Sequence, residues 1–590
     1  MTVPAPASES DRSKPRRLCV WMPVIVVAGL LLHLPALWMG FYADDYLHQL
    51  VLRGETPMKP WALFDFGYLA DWEGGQDPGS IPWWTSLDWK ARFFRPLASL
   101  SLWLDHALFG EAPVGYHVTS LVLYALLLVL VYDLYQVLGL SRRVALWALA
   151  LFVCSTESAL PVAWLANRNS LLAVLFTTAA ICAVSRYRRW GLGAATATAL
   201  GCGVLAALSK ESGTAAFLLV AAYLWRERSA SADPRERRRQ TAVAAMAAGL
   251  SVVHAGVLLL GDYGTNSLFY SMPWSQPAAY LERLGMLVAT SGLALASPAS
   301  TDVLTVMPEL TLPFLALATP VTLALALWVW RSLREEASIG FFALWMALTL
   351  LPQAAAQLSD RLLFGASVAS SAFVALLVTR AFRRDGPRRV ITRVAAGALL
   401  LVAGPLSAVG LVGQVGFLVG MAKDLRDATL SADVGPAELG HREVFVLQAH
   451  NAFVPFVIHT TWGIENDDHD LTFRVLQGGR RGIEWTREDE RSCTFTALGE
   501  RPFLDDPFEY VYRSHELDAV PGTIWQVEVF QVEAVDVDER GLRSIRVRFD
   551  ESLDTPRYRF LVDRDGRLTS IAPPAVGETI VVPEVAGPVF

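Results

Sequence analysis

Long apolar runs recur over the first 420 residues of this 590-residue chain, and they constrain its fold more than any other feature. Each run is long enough to cross a bilayer as a helix, which takes about 20 residues. In lipid, backbone amides must be satisfied within the segment, so the runs are predicted to be helices. A hydrophobic fraction of 53% also exceeds that of an ordinary soluble domain. The chain is therefore predicted to be a polytopic α-helical membrane protein.

Basic residues cluster in alternate loops and predict the topology. The clusters lie at 12–17, 142–143, 186–189, 226–239, 331–334 and 380–393. The positive-inside rule assigns them to the cytoplasm. The other loops would face outward, at 41–113, 161–169, 209–213, 261–310, 356–361 and beyond about 422. This alternation predicts about eleven spans, a cytoplasmic N-terminal tail at 1–18 and a transmembrane domain at 19–422.

The pattern changes beyond about residue 429. Ile545, Val547 and Phe549 alternate with arginines, and residues 526–529 repeat this period of two, which is typical of half-buried strands. The DRDG sequence at 563–566 predicts a hairpin turn. A small extracytoplasmic β-rich domain is therefore predicted at 429–590. Acidic residues outnumber basic ones there, which argues against nucleic-acid binding.

The first outward loop, at 41–113, is rich in tryptophan. Its indoles are Trp61, Trp72, Trp83, Trp84 and Trp89. Tryptophan favours the headgroup level of a bilayer, so this loop is predicted to lie on the membrane surface. The amphipathic stretch at 96–109 is predicted to be a surface helix.

Ionisable side chains of the outward loops should lie at a similar depth near one face of the bundle. They include Asp44, Asp45, Arg92, Arg95, His117, Arg168, Lys210, Glu211, Asp360 and Arg361. Two carboxylates among several cations suit a reaction in which a base activates a hydroxyl while cations hold a leaving phosphate. Each residue also has a structural interpretation, as a helix cap or as an arginine that reaches the interface. Adjacent aspartates point in different directions, so one base is expected, and the sequence leaves open which it is.

Several of these residues lie in strings that resemble a known family. The strings are FYADDY (41–46), FFRPL (93–97), GYH (115–117), AWLANRNSLL (163–172), LSKESG (208–213) and DRLLF (360–364). Together they resemble the GT-C membrane glycosyltransferases, and most of all the protein O-mannosyltransferase-like branch that usually carries tetratricopeptide repeats. The resemblance covers about residues 20–380. Asn167 and Ser170 stand where that branch has Gly and Asp, and no repeats follow.

The resemblance implies an inverting transferase that moves one sugar from a polyprenyl-phosphate donor to an extracytoplasmic hydroxyl on a protein, glycan or lipid. A bacterial inner membrane is the implied location, with the N-terminus inside and the C-terminus outside. Asp44 or Asp45 would be the base. Arg95, Arg168, Lys210 and Arg361 would hold the donor phosphate, and His117, Glu211 and Asp360 would support them. The family implies no metal and no other cofactor.

Two other functions are left open by the sequence. Helix bundles with charges at the membrane mouth also transport or flip polar lipids. Transporters usually place ionisable groups near the midplane and have two related halves. The second alternative is a non-catalytic membrane scaffold whose β domain binds a partner.

Overall fold

The computed structural model describes residues 20–56, 58–69, 81–383, 390–436, 440–451, 453–468, 470–514 and 519–585. The predicted cytoplasmic tail at 1–18 lies outside these residues. The helices are α1 Trp21–Leu32, α2 Asp44–Arg53, α3 Pro96–Phe109, α4 Pro113–Val137, α5 Arg142–Val153, α6 Ala159–Ala163, α7 Arg168–Val184, α8 Tyr187–Trp190, α9 Leu192–Ser209, α10 Ala215–Ala230, α11 Pro234–Leu260, α12 Pro277–Ala294, α13 Val303–Val306, α14 Thr311–Leu333, α15 Ile339–Leu350, α16 Phe364–Ala381, α17 Val390–Leu401, α18 Ser407–Leu430 and α19 Val454–Asn466.

Seven helical stretches among the described residues are long and apolar enough to cross a membrane, consistent with a multi-pass membrane protein. They are Pro113–Val137, Leu165–Val184, Leu192–Ser209, Pro234–Leu260, Pro308–Leu333, Asp360–Ala381 and Val390–Leu430. An eighth results if Arg142–Val153 and Thr156–Ala163, bent by 58°, count as one span. The predicted count of about eleven is therefore not confirmed. Trp21–Leu32, where the first span was predicted, is a shorter apolar helix of 12 residues.

Burial differs strongly among these stretches. Protein surrounds nearly all of Leu165–Val184, whereas Pro308–Leu333 is exposed over nearly its whole length. A helix that is apolar all round and exposed in this way is suited to contact with lipid. The central helix α7 packs against α4, α9 and α10, and the loops at its N-terminal end lead to the site described below.

The C-terminal region is β-rich, as predicted. The strands among the described residues are β1 Asp65–Tyr68, β2 Lys90–Arg92, β3 Gly264–Asn266, β4 Arg442–Val446, β5 Leu471–Val475, β6 Ile483–Arg487, β7 Ser492–Ala497, β8 Ile524–Gln526, β9 Phe530–Asp538, β10 Gly541–Phe549, β11 Tyr558–Arg564, β12 Arg567–Ser570 and β13 Thr579–Val582. One sheet has the order β13-β6-β7-β10-β9-β8, and a second has the order β12-β11-β4-β5. Strands β4 and β5 are parallel, and helix α19 provides the crossover that a parallel pair requires.

The predicted strand patterns had different outcomes. The strand at 545–549 is confirmed within β10. The hairpin at 563–566 is confirmed, since β11 pairs with β12 and the turn residues Asp565 and Gly566 both have positive φ. The strand predicted at 526–529 is wrong, because residues 527–529 form the turn between β8 and β9. Alternation over four residues does not distinguish a strand from a tight turn with its flanking residues. The domain boundaries at 19, 422 and 429 stay predictions.

The prediction that the tryptophan-rich loop lies on the membrane surface is wrong for its last three indoles. Trp83 and Trp84 belong to the hydrophobic core of the β-rich region. Their Nε1 atoms donate hydrogen bonds to the carbonyls of Leu476 (3.1 Å) and Glu509 (3.3 Å). Packing against protein buries the rings and also gives each indole N–H the hydrogen-bond partner that a buried indole usually finds. Trp61 is exposed, and Trp72 lies outside the described residues.

A three-stranded sheet holds this loop against a second one. Strand β2 from the first loop pairs with β1 and with β3, which follows helix α11. The predicted surface helix at 96–109 is observed as α3, directly after β2. Two of the loops predicted to face outward therefore meet on one side of the bundle, together with the β-rich region.

Candidate active site

A cavity of about 1530 Å³ lies between the helical bundle and the β-rich region. Its wall combines the start of α2, the loops around 91–95, 263–274 and 300–309, the segment 352–362 and part of α18. The β-rich region contributes residues around 450, 480, 500 and 505–512. The volume exceeds the roughly 300–1,000 Å³ of ordinary small-molecule sites, so the cavity has room for two reactants.

Asp44 is the carboxylate of the acidic pair that lines the cavity. Its side chain makes no hydrogen bond to another described residue. The preceding Ala43 has φ 49° and ψ −117°, a conformation that costs a non-glycine residue about 1–3 kcal/mol. The Asp44 side chain is exposed to the cavity, where desolvation by the surrounding protein raises its pKa and the positive charges of Arg361 and Arg95 act in the opposite direction. A carboxylate with a raised pKa and open access to the cavity suits a general base.

Asp45 has a different environment. It is buried, and its two oxygens accept hydrogen bonds from the backbone N–H groups of Tyr42 (3.1 Å) and Ala166 (2.7 Å). Burial raises the pKa of Asp45 to about 8. Its carboxyl group thus holds the bend before α2 and ties that bend to the start of α7. This leaves Asp44 as the member of the pair that faces the cavity.

Three of the four predicted phosphate-binding cations line the same cavity. Arg361 makes no hydrogen bond or ion pair with another described residue, and its guanidinium lies 5.3 Å from the ring centre of Trp164. Lys210 donates a hydrogen bond to Ser170 Oγ at 2.8 Å. Arg95 forms an ion pair with Glu211 at 2.9 Å.

Arg168, Asp360 and His117 lie behind the cavity wall rather than in its lining. Arg168 is buried and pairs with Asp105, and its Nη2 donates to the Tyr116 carbonyl at 2.7 Å. Asp360 is buried and accepts hydrogen bonds from the backbone N–H and hydroxyl of Thr301. His117 is buried in α4. Glu211 lines the cavity through its pair with Arg95.

Tyr270 and Tyr512 are among the cavity residues that the sequence reasoning missed. The Tyr270 ring packs against the Phe93 ring, with centroids 5.6 Å apart. Its phenol group interacts electrostatically with both Arg361 and Asp44. Burial raises the pKa of Tyr270. Tyr512 reaches the cavity from the β-rich region. Neither residue lies in a recognisable string or beside a predicted span, so the sequence offered no signal for them.

No group of three or more His, Cys, Asp or Glu side chains suited to a metal ion occurs within the described ranges. The expectation that no metal is needed stays a prediction.

His450 links the last membrane helix to the β-rich region at the edge of the cavity. Its Nε2 lies 2.9 Å from Asp424 in α18, and its Nδ1 contacts Asp563 in β11. Hydrogen bonds to these two carboxylates raise the pKa of His450 from 6.5 to about 9.

The stabilisation from protonated His450 should be complete below about pH 6.5 and lost as the pH rises through about 9. We expect a loss of roughly 1–3 kcal/mol in the free energy of unfolding over this window, because both carboxylates then lose their cationic partner. Thermal unfolding in detergent between pH 6 and 10 measures it. His450→Gln is the control and should have a flatter profile. Equal slopes for the two proteins would contradict the prediction.

No protein-family model matches the chain, and no curated protein is significantly similar to it in sequence. Among solved structures, it is similar to the oligosaccharyltransferase AglB from Archaeoglobus fulgidus in complex with an inhibitory peptide and a dolichol-phosphate. The identity is 14% and the TM-score 0.44, over 80% of this chain and 65% of that one. For the Archaeoglobus fulgidus oligosaccharyltransferase tethered to an acceptor peptide, the identity is 12% and the TM-score 0.42, over 76% of this chain and 63% of that one. For ArnT from Cupriavidus metallidurans bound to undecaprenyl phosphate, the identity is 12% and the TM-score 0.38, over 77% of this chain and 90% of that one. The chain thus spans less than two thirds of the length of the archaeal protein.

Proposed function

We propose that the protein is a GT-C-type glycosyltransferase of the protein O-mannosyltransferase-like branch. It moves a single sugar from a polyprenyl-phosphate donor to a hydroxyl group, with inversion at C1. The cavity opens on the extracytoplasmic side of a bacterial inner membrane, and the N-terminus is cytoplasmic. The sequence strings from FYADDY to DRLLF support this assignment.

One observation carries the proposal. Asp44, Arg95, Lys210 and Arg361 come from positions spread over more than half of the chain, and all of them line one cavity. A carboxylate with free access to this cavity and several cations are the groups that the reaction needs. Charges that served only as helix caps or interface anchors would have no reason to converge in this way.

Arg361 and Lys210 are assigned to the donor phosphate. Arg361 has no carboxylate partner among the described residues, and its planar fork can bind a phosphate bidentately. Lys210 is held by a neutral hydroxyl, Ser170 Oγ, and forms no ion pair with a carboxylate of the described residues within 4 Å. Arg95 is neutralised by Glu211, so it contributes less. Arg168 is assigned to the structure, since Asp105 already balances its charge.

The reaction follows from these assignments. Asp44 takes the proton of the acceptor hydroxyl, whose oxygen attacks C1 of the sugar from the face opposite the phosphate. A bond forms between C1 and the acceptor oxygen as the bond between C1 and the phosphate oxygen breaks. The bonding electrons leave with polyprenyl phosphate, whose added negative charge is stabilised by Arg361 and Lys210.

The test is sugar transfer by the full-length protein in lipid vesicles. Tritiated sugar would be supplied on a panel of polyprenyl-phosphate hexoses and pentoses, with cell-envelope extract from a strain lacking the gene as the acceptor source. We expect transfer by the wild-type protein and a loss of about 10²–10³-fold in Arg361→Gln, because one charged donor to the leaving phosphate is removed.

Arg331→Gln is the matched control. Arg331 is exposed near the end of α14, and it is not part of the cavity lining. Its substitution should leave transfer unchanged. If none of the sugars is transferred by the wild-type protein, or if both arginine variants keep the wild-type rate, the proposed function is wrong.

A further inference from the structure

We infer that the β-rich region completes the acceptor side of the cavity, and that the Tyr512 hydroxyl positions the acceptor hydroxyl beside Asp44. This inference rests on the proposed function and deepens it. It makes the acceptor a polar molecule taken from the aqueous side rather than a lipid. Tyr512 is a positioning residue in this scheme, and Asp44 remains the base.

The first support is the way the segment 509–514 is held. The indole N–H of Trp89, in the first loop, donates to the Val511 carbonyl at 2.9 Å. The Ser267 hydroxyl, in the loop after β3, donates to the Tyr510 carbonyl at 2.9 Å. Two loops of the helical body therefore fix this segment of the β-rich region from both sides. It is part of the cavity wall, not a separate surface.

The second support is the setting of Tyr512. Its ring stacks on the rings of Trp89 and Phe456, with centroids 6.0 and 5.5 Å away and interplanar angles of 20° and 22°. The residue lines the cavity, and its hydroxyl makes no hydrogen bond to another described residue. Asp44 is the charged group that acts on this phenol, and burial and the Asp44 charge together raise the pKa of Tyr512. A rigidly held, neutral O–H donor thus lies within electrostatic range of the base.

The chemistry of a hydroxyl acceptor matches these two groups. Its oxygen carries one proton and two lone pairs. The proton goes to Asp44, one lone pair accepts the Tyr512 O–H, and the other lone pair attacks C1. Two fixed partners orient the attacking lone pair, which a single base does not achieve.

The part of the cavity wall that comes from the β-rich region indicates the class of acceptor. It adds charged side chains of both signs to the lining, among them Arg480, Glu500, Arg501 and Asp505. Charged groups of both signs favour a polar molecule and disfavour an acyl chain. A lipid acceptor would instead need an apolar wall on this side.

The experiment compares Tyr512→Phe with the wild-type protein in the vesicle assay. The phenylalanine ring keeps both stacking contacts and removes only the hydroxyl, so the melting temperature should not change. We expect transfer to fall about tenfold, the effect of one hydrogen bond. Binding of labelled polyprenyl phosphate should be unchanged, because the donor lies at the cations. Tyr558→Phe is the matched control and should keep the wild-type rate, since Tyr558 lies in β11 of the same region and is not part of the cavity lining.

The possible outcomes separate a failure of the proposed function from a failure of the inference about Tyr512. Absence of transfer by the wild-type protein overturns the proposed function, and the inference with it. If the wild-type protein transfers sugar and Tyr512→Phe does so equally fast, the inference alone is wrong. It is also wrong if Tyr512→Phe loses polyprenyl-phosphate binding. Transfer of the label to a new lipid product would contradict the inference that the acceptor is a polar molecule.

Discussion

The Asp44→Asn protein is expected to transfer sugar about 10²–10⁴-fold more slowly than the wild-type protein while binding labelled polyprenyl phosphate equally well. An amide has the same shape as the carboxylate but does not take up a proton at neutral pH. The substitution therefore removes the base without opening the cavity. Initial rates in lipid vesicles and equilibrium binding of the polyprenyl phosphate measure the two quantities separately.

Two control variants accompany this prediction. Glu55→Gln changes a carboxylate just beyond the other end of α2, where it lies near Arg53, and should leave the rate unchanged. Asp45→Asn keeps one oxygen that can accept one of the two backbone hydrogen bonds. It should lower the melting temperature and reduce turnover by less than about tenfold. Wild-type turnover in Asp44→Asn would end the assignment of the base.

Arg168→Leu is expected to destabilise the folded protein by about 3–5 kcal/mol, the cost of leaving one buried charge without its partner. Arg168 and Asp105 are each about 1% exposed. Among the described residues, the Asp105 carboxylate would keep the Thr119 hydroxyl, at 2.7 Å, as its one remaining hydrogen-bond donor. Thermal unfolding in detergent and the yield of folded protein would measure the loss.

The double variant with Arg168→Leu and Asp105→Leu is the control. It removes both charges at once, so it should recover much of the stability lost in the single variant. The opposite pattern would be a stable Arg168→Leu protein that no longer binds polyprenyl phosphate. That result would support the sequence-based prediction that Arg168 binds the donor phosphate.

Part of the site could be predicted from sequence strings alone. Arg95, Lys210 and Arg361 were expected to meet, and they line one cavity together with Asp44. The strings could not separate these cations from Arg168, which is also a basic residue at a similar predicted depth. The difference arises from Asp105, a residue of α3 that no string includes and that pairs with Arg168 in the folded protein.

The segment around Tyr512 was beyond prediction for a related reason. Its position depends on contacts between chain regions more than 400 residues apart, such as Trp89 with Val511. An indole in an outward loop has two good environments, the headgroup layer and a protein surface that accepts its N–H. Composition does not choose between them.

The sequence by itself determined the features that depend on local chemistry. Apolar runs must form helices because lipid offers no partner to the backbone, and a longer run with a period of two favours a strand with one buried face. The tertiary structure decided the role of each charged residue. Asp44 faces the cavity while Asp45 binds two backbone N–H groups. The physical reason is that a charged side chain takes its role from its nearest partners, and those partners come from distant parts of the chain.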